Sequence, residues 1–126
     1  MSAPTLLMVD DDPIYRESLV LYTKKLGYPT LEASSGNEAF QIIQNQPIAA
    51  VITDLRMKDG TGIELLKKIR KNSADLPLIP KIIVNTGLLE GGEDYLKALG
   101  ASFVFIKPVD SKTLAAHLSK LLILSN

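Results

Sequence analysis

Short apolar runs recur along the chain, and a helix-like stretch separates each run from the next. The runs occupy residues 5–9, 29–33, 49–53, 81–85 and 102–106. Each is too short for a helix of ordinary length. The run ending Ala49-Ala50-Val51-Ile52-Thr53 has a β-branched centre and no polar alternation, the pattern of a strand buried on both faces. A helix between successive strands makes them parallel, with right-handed crossovers and helices on both faces of the sheet. The chain is therefore read as α/β, a doubly wound parallel sheet of five strands.

Local signals agree with this plan. Asp12-Pro13 starts a helix well, because the Asp accepts from free N–H groups and Pro suits the first helical position. Tyr15, Leu19, Tyr22 and Leu26 then recur at helical spacing and predict one buried stripe, which Gly27 stops. Ser35…Glu38 and Thr61…Glu64 read as capping boxes. The first opens a helix to about residue 46 with Ala39, Ile42 and Ile43 inward, ended by Pro47. The second opens one that buries Leu65, Leu66 and Ile69. Its basic run, residues 67–71, reads as a solvated helix end, with a phosphate-binding patch as the alternative. Gly87, Gly91 and Gly92 loosen the loop before a short helix near 93–99. Asp110 or Ser111 caps a last helix whose stripe is Leu114, Leu118 and Leu121.

Bulk properties exclude several classes. A length of 126 residues, 46% of them apolar, suits one domain over 1–126. Fourteen Lys plus Arg balance 14 Asp plus Glu, so the chain lacks the basic excess of a nucleic-acid binder. No cysteine is present, which removes disulfides, thiolate metal sites and thiol nucleophiles. Residues 1–4 lack signal-peptide character, and no apolar stretch is long enough to span a membrane. The expectation is a cytoplasmic protein that binds neither membrane nor nucleic acid.

In a parallel alternation the C-terminal ends of the strands share one side, where open α/β sheets place their ligands. The residues there are Asp10 and Asp11, Asp54, Asn85 and Thr86, and Lys107. Hard carboxylate oxygens select a magnesium-like cation. An Asp can attack phosphorus to form an acyl phosphate. A lysine and a metal neutralise the oxygens of a transferring phosphoryl group, and a Thr hydroxyl donates to one of them.

These residues carry a resemblance. Val9-Asp10-Asp11, Asp54, Thr86-Gly87 and Lys107-Pro108 stand in the order and approximate spacing of the CheY-like receiver domains of two-component response regulators. The resemblance covers nearly the whole chain. It implies a flavodoxin-like (βα)5 fold with strand order 2-1-3-4-5. It implies Asp54 as phosphoacceptor, Asp11 as direct metal ligand and Asp10 as its water-linked partner, with the Arg56 carbonyl completing the metal site. Thr86 and Lys107 become the hydroxyl and ammonium that meet the phosphoryl group, and the bond to Pro108 becomes cis. The implied cofactor is Mg2+, with Mn2+ the alternative. The implied phosphodonor is a sensor histidine kinase or a histidine phosphotransfer protein. The output target would dock on the face formed by the fourth helix, fifth strand and fifth helix, and the chain would be a monomer or a phosphorylation-linked dimer. Such a domain is a signalling module that catalyses only its own phosphorylation and dephosphorylation.

The sequence departs from the family in places. Met57 is followed by Lys58 where the family often has Pro, which predicts a looser metal-binding loop in which Gly60 and Gly62 supply backbone freedom. Val104 replaces the usual aromatic three residues before the lysine, while Phe103 and Phe105 point to the other face. This predicts a muted change on the output face. Arg56 and Leu88 fall where the family tunes phosphoryl lifetime, and they predict slow self-dephosphorylation. His117, the one histidine, reads as a surface or boundary residue. Asp12 reads as a helix cap.

Two other functions compete. Asp10-Asp11-Asp12 contains an Asp-x-Asp arrangement similar to haloacid-dehalogenase-type phosphatases, with Asp10 as nucleophile. A pseudo-receiver, acting only as a binding module, is the other, and the missing aromatic supports it.

Overall fold

In the computed structural model, residues 3–89 and 91–122 are described; Met1 and Ser2 of the N-terminal reading lie outside them. The strands are β1 Leu6–Val9, β2 Thr30–Ala33, β3 Ala50–Thr53, β4 Lys81–Thr86 and β5 Phe103–Ile106. The helices are α1 Pro13–Lys25, α2 Gly36–Asn45, α3 Gly62–Lys71, α4 Glu93–Ala98 and α5 Ser111–Leu122. A short 3-10 turn, Ser73–Asp75, follows α3; no sequence signal had marked it. The strands form one parallel sheet in the order β2-β1-β3-β4-β5. Together these give the expected doubly wound flavodoxin-like plan.

Every residue of β1 and β3 is buried, which explains their unbroken apolar character. Alternate side chains feed two cores. Leu7, Val9 and Val51 meet Ile43, Leu66, Ile69 and Leu96 from α2, α3 and α4. Leu6, Met8 and Ile52 meet Leu19, Val20, Leu114 and Leu118 from α1 and α5.

The caps hold with one correction. The Asp12 carboxylate accepts from the N–H groups of Ile14 and Tyr15. Thr61 and Glu64 form the full reciprocal box. At α2 only half of the box exists. Ser35 accepts from the Glu38 N–H, but the Glu38 carboxylate turns to the N–H and hydroxyl of Ser34. The extended backbone at Ser35 brings Ser34 within reach of that carboxylate.

The α1 stripe was also misplaced. The helix buries Leu19, Val20 and Thr23, while Tyr15 and Tyr22 are half-buried and Leu26 is exposed. The helix ends at Lys25, and Gly27 turns the chain away with φ +99°. Thr23 is tolerated inside because its hydroxyl bonds that of Thr30 at 2.8 Å. In α5 the third inward residue is Leu122 rather than Leu121, which is half-buried.

Candidate functional site

The register builds the site. Val9 stands opposite Thr53 across the β1–β3 pair, so Asp10 and Asp54 leave the sheet side by side. Asp10, Asp11 and Asp54 each offer a carboxylate oxygen, and these oxygens lie within 4.8 Å of one another. Asp10 and Asp54 are buried, while Asp11 is exposed.

Lys107 reaches into this cluster from the end of β5. Its Nζ lies 2.6 Å from Asp10 Oδ2 and 2.8 Å from Asp54 Oδ2. Burial by itself lowers a lysine pKa. Here hydrogen bonds to Asp10 and Asp54, with their Coulomb attraction, outweigh burial and raise the Lys107 pKa above its ordinary value. The other acid oxygens are held by backbone. Asp54 Oδ1 accepts from the Leu55 N–H at 2.7 Å, and Asp10 Oδ1 accepts from the Asp12 N–H at 2.9 Å. Asp11 Oδ2 accepts from the Lys58 N–H at 3.4 Å, which ties the β1 and β3 loops together. Arg16 donates to the Asp10 carbonyl and pairs with Glu32, fixing the first loop to β2.

Thr86 ends β4, and its main-chain carbonyl accepts from the Lys107 N–H. Its hydroxyl donates to the Leu88 carbonyl and accepts from the Leu88 N–H, so it rests on its own loop. Arg56 lies exposed two residues past Asp54. The Lys107-Pro108 bond is cis. Sequence analysis thus named residues that the fold gathers: Asp10, Asp11 and Asp54 cluster, Lys107 meets Asp10 and Asp54 directly, and Thr86 flanks them.

The loop after β3 owes its path to glycine, for two different reasons. Gly60 has φ +96°, a region other residues rarely adopt. Gly62 is not in that region. A Cβ there would strike the Asp54 carbonyl oxygen and lie 2.9 Å from Leu55 Cα. Its requirement is room rather than freedom, which corrects the reading made from sequence.

Asp12 is committed to the α1 cap, so the second acid of the phosphatase-like Asp-x-Asp serves the helix. His117 is half-buried at the boundary, edge-on to Phe103 and Phe105, with Nδ1 2.8 Å from the Thr113 carbonyl. Val104 packs toward the α4 side, whereas Phe103 and Phe105 join the α1–α5 core. The basic run of α3 is largely a solvated end, with Lys68 bonded to Asn37.

Sequence reasoning missed Tyr15 as a neighbour of the site. Its hydroxyl meets Asn85 and its ring faces Lys107. The one available signal was Asn85 itself, an amide directly after the apolar Ile82-Ile83-Val84.

The donor set fits a hard divalent cation. Three carboxylates crowd together, all their ligand atoms are oxygen, and the chain places a cation of its own among them. No described helix is long and apolar enough to cross a membrane.

Comparison with known proteins gives a consistent answer. The family model for the response regulator receiver domain matches residues 6–119. The response regulator protein PilR of Pseudomonas aeruginosa is 33% identical over 110 residues, covering 87% of this chain and 24% of that protein. The chain therefore spans only a part of that relative. Among solved structures, a response regulator receiver protein from Pseudomonas putida shares 33% identity with a TM-score of 0.83, covering 95% of this chain and 98% of that one. The response regulator TrrA of Thermotoga maritima, solved in complex with Mg2+ and BeF, shares 29% identity with a TM-score of 0.81, covering 94% and 99%.

Proposed function

Because this chain belongs to the response regulator receiver domain family, we propose that it is a phosphoacceptor switch in which Asp54 takes the phosphoryl group. Receiver domains bind a divalent metal, and response regulators work with histidine kinases. The finer assignments are these. Asp11 and Asp54 would hold Mg2+ directly, Asp10 would reach it through water, and the Arg56 carbonyl would complete the set. When bound, that ion neutralises charge on the oxygens of the transferring group. The donor is a phosphohistidine on a kinase or a phosphotransfer protein. The chain acts as one receiver domain in the cytoplasm and catalyses only its own modification.

The chemistry assigned to the chain's own residues follows from their contacts. A carboxylate oxygen of Asp54 attacks phosphorus, a P–O bond forms, and the P–N bond to the donor imidazole breaks. The imidazole nitrogen leaves with the electron pair and takes up a proton. Lys107, resting on Asp10 and Asp54, then pairs with a phosphoryl oxygen. Thr86 exchanges its Leu88 partners for another such oxygen. Leu88, 52% exposed, and Arg56 shield the acyl phosphate and lengthen its life.

The observation that carries this reading is three carboxylates whose oxygens lie within 4.8 Å of one another, two of them paired with the Lys107 ammonium. The test is incubation with acetyl phosphate and Mg2+, followed by intact mass measurement. A mass gain of one phosphoryl group should appear in the parent chain and vanish in Asp54→Asn. A gain that survives Asp54→Asn and is lost in Asp10→Asn would mean phosphatase-type chemistry instead.

A further inference from the structure

Lys107 enters the acidic cluster with a wall beside it, and that wall is Tyr15. The ring centroid of Tyr15 lies 4.8 Å from Lys107 Nζ, within range for an ammonium attracted to an aromatic face. The hydroxyl of Tyr15 accepts from Asn85 Nδ2 at 2.9 Å and from the Val109 N–H at 3.3 Å. Asn85 is 2% exposed, and its Oδ1 has no hydrogen-bond partner among the described residues. Burying an amide this way is costly, so the Tyr15 contact satisfies the half of the side chain that is satisfied at all. The neighbouring inward place on the same face of β4 is filled by the apolar Ile83. Packing alone gives no reason for an amide here.

The chain positions sharpen the point. Asn85 directly precedes Thr86, and Val109 follows Lys107-Pro108. Tyr15, from the first turn of α1, therefore ties together the two segments that carry Thr86 and Lys107. A lysine side chain has several free torsions, and its head must be held if it is to meet a small target. One side of the Lys107 head is fixed by Asp10 and Asp54. In the phosphoacceptor reading those acids turn to the metal and the phosphoryl group, which leaves the tyrosine ring as the contact on the other side of the lysine head.

We propose that Tyr15, anchored by Asn85, is a positioning residue that keeps the Lys107 ammonium aimed at the incoming phosphoryl group. The proposal rests on the phosphoacceptor reading above. Tyr15 touches neither the acids nor the phosphorus and acts only through the lysine.

The test compares the parent chain with Tyr15→Phe and Tyr15→Leu. Each is phosphorylated by acetyl phosphate in saturating Mg2+ over a range of donor concentrations. Leu removes ring and hydroxyl together, and the maximal rate should fall roughly tenfold or more. Phe keeps the ring without its anchor, and the fall should be roughly threefold. The donor concentration giving half the maximal rate should change little in either. In metal-free protein, peptide mass mapping should show faster reductive methylation of Lys107 in Tyr15→Leu than in the parent. Both variants matching the parent in maximal rate and in Lys107 labelling would overturn the proposal. If Tyr15→Leu does not fold, Tyr15→Phe decides it: a parental maximal rate overturns the proposal, and a reduced one with unchanged half-saturation supports it. Failure of the parent chain itself to take phosphate would instead bring down the phosphoacceptor reading.

Discussion

Replacing Lys107 by Gln removes the ammonium while keeping most of the side-chain volume. Asp10 and Asp54 are then left facing each other and Asp11, with ligand oxygens no more than 4.8 Å apart. Two unit charges at that distance repel by roughly 3 kcal/mol when the effective dielectric constant is near 20. The Asp10 and Asp54 side chains are 5% and 10% exposed, so little water reaches them directly. Lys107 itself is 21% exposed and Asp11 is exposed, so solvent and small side-chain movements relieve part of the strain. A net loss of about 2–3 kcal/mol is expected in metal-free protein. With a urea slope of about 1–3 kcal/mol per molar, the midpoint falls by roughly 0.7–3 M. The assay is urea unfolding followed by far-ultraviolet circular dichroism in excess EDTA. Repeating it in Mg2+ should restore more stability to the variant than to the parent, because the ion neutralises the same charges. Coincident unfolding curves for the two proteins in EDTA would refute the reasoning. Lys107 would then not be the counter-charge of the cluster.

Gly62→Ala places a methyl group against the Asp54 carbonyl; it should cost about 2–3 kcal/mol in urea unfolding and slow phosphorylation by displacing Asp54. Hydrogen bonds from Thr61, chiefly from its backbone N–H, hold the Glu64 carboxyl below its usual pKa. Its support for α3 is therefore present above the ordinary glutamate range and is lost as pH falls through the lowered folded value, so the midpoint gap between parent and Glu64→Ala should close on acidification. Lys107 has the opposite sign. With its folded pKa raised, its contribution is complete below the ordinary lysine value, about 10.4, and is lost only as pH rises through the raised one, so the gap between parent and Lys107→Gln should stay level from neutrality to about pH 10. Val104 in place of an aromatic predicts that amide exchange on α4, β5 and α5 changes less with a bound phosphoryl mimic than it does in a Val104→Tyr variant.

Much of this was legible because burial on both faces leaves a plain mark. Residues 5–9 and 49–53 read as strands since every side chain there must be apolar or small, and β1 and β3 fall within one residue of that reading. The acids and Lys107 were legible because parallel topology sends all strand ends to one edge. What escaped depended on contacts between distant parts of the chain. Thr23 and Thr30 satisfy each other's hydroxyls inside the core, and no periodicity in α1 announces that pair. Tyr15 and Asn85 are 70 residues apart, so the tyrosine looked like an ordinary stripe residue. At Ser35 the spacing to Glu38 was right, but the preceding serine competed for the same carboxylate. For Gly62 the type was noticed and the cause was not, since crowding by a neighbouring carbonyl leaves no trace in local sequence.

The pairing of Val9 with Thr53 has a consequence for how this chain can vary. Each strand rises about 3.3 Å per residue and turns alternate side chains to opposite sides. Adding or deleting one residue within Leu6–Val9 or Ala50–Thr53 would move one acid by a whole step and trade its inward neighbours for outward ones. Length changes are therefore affordable in the connections at the far edge of the sheet and ruinous in two segments of four residues. Natural variants of this protein should keep those eight positions free of insertions and deletions.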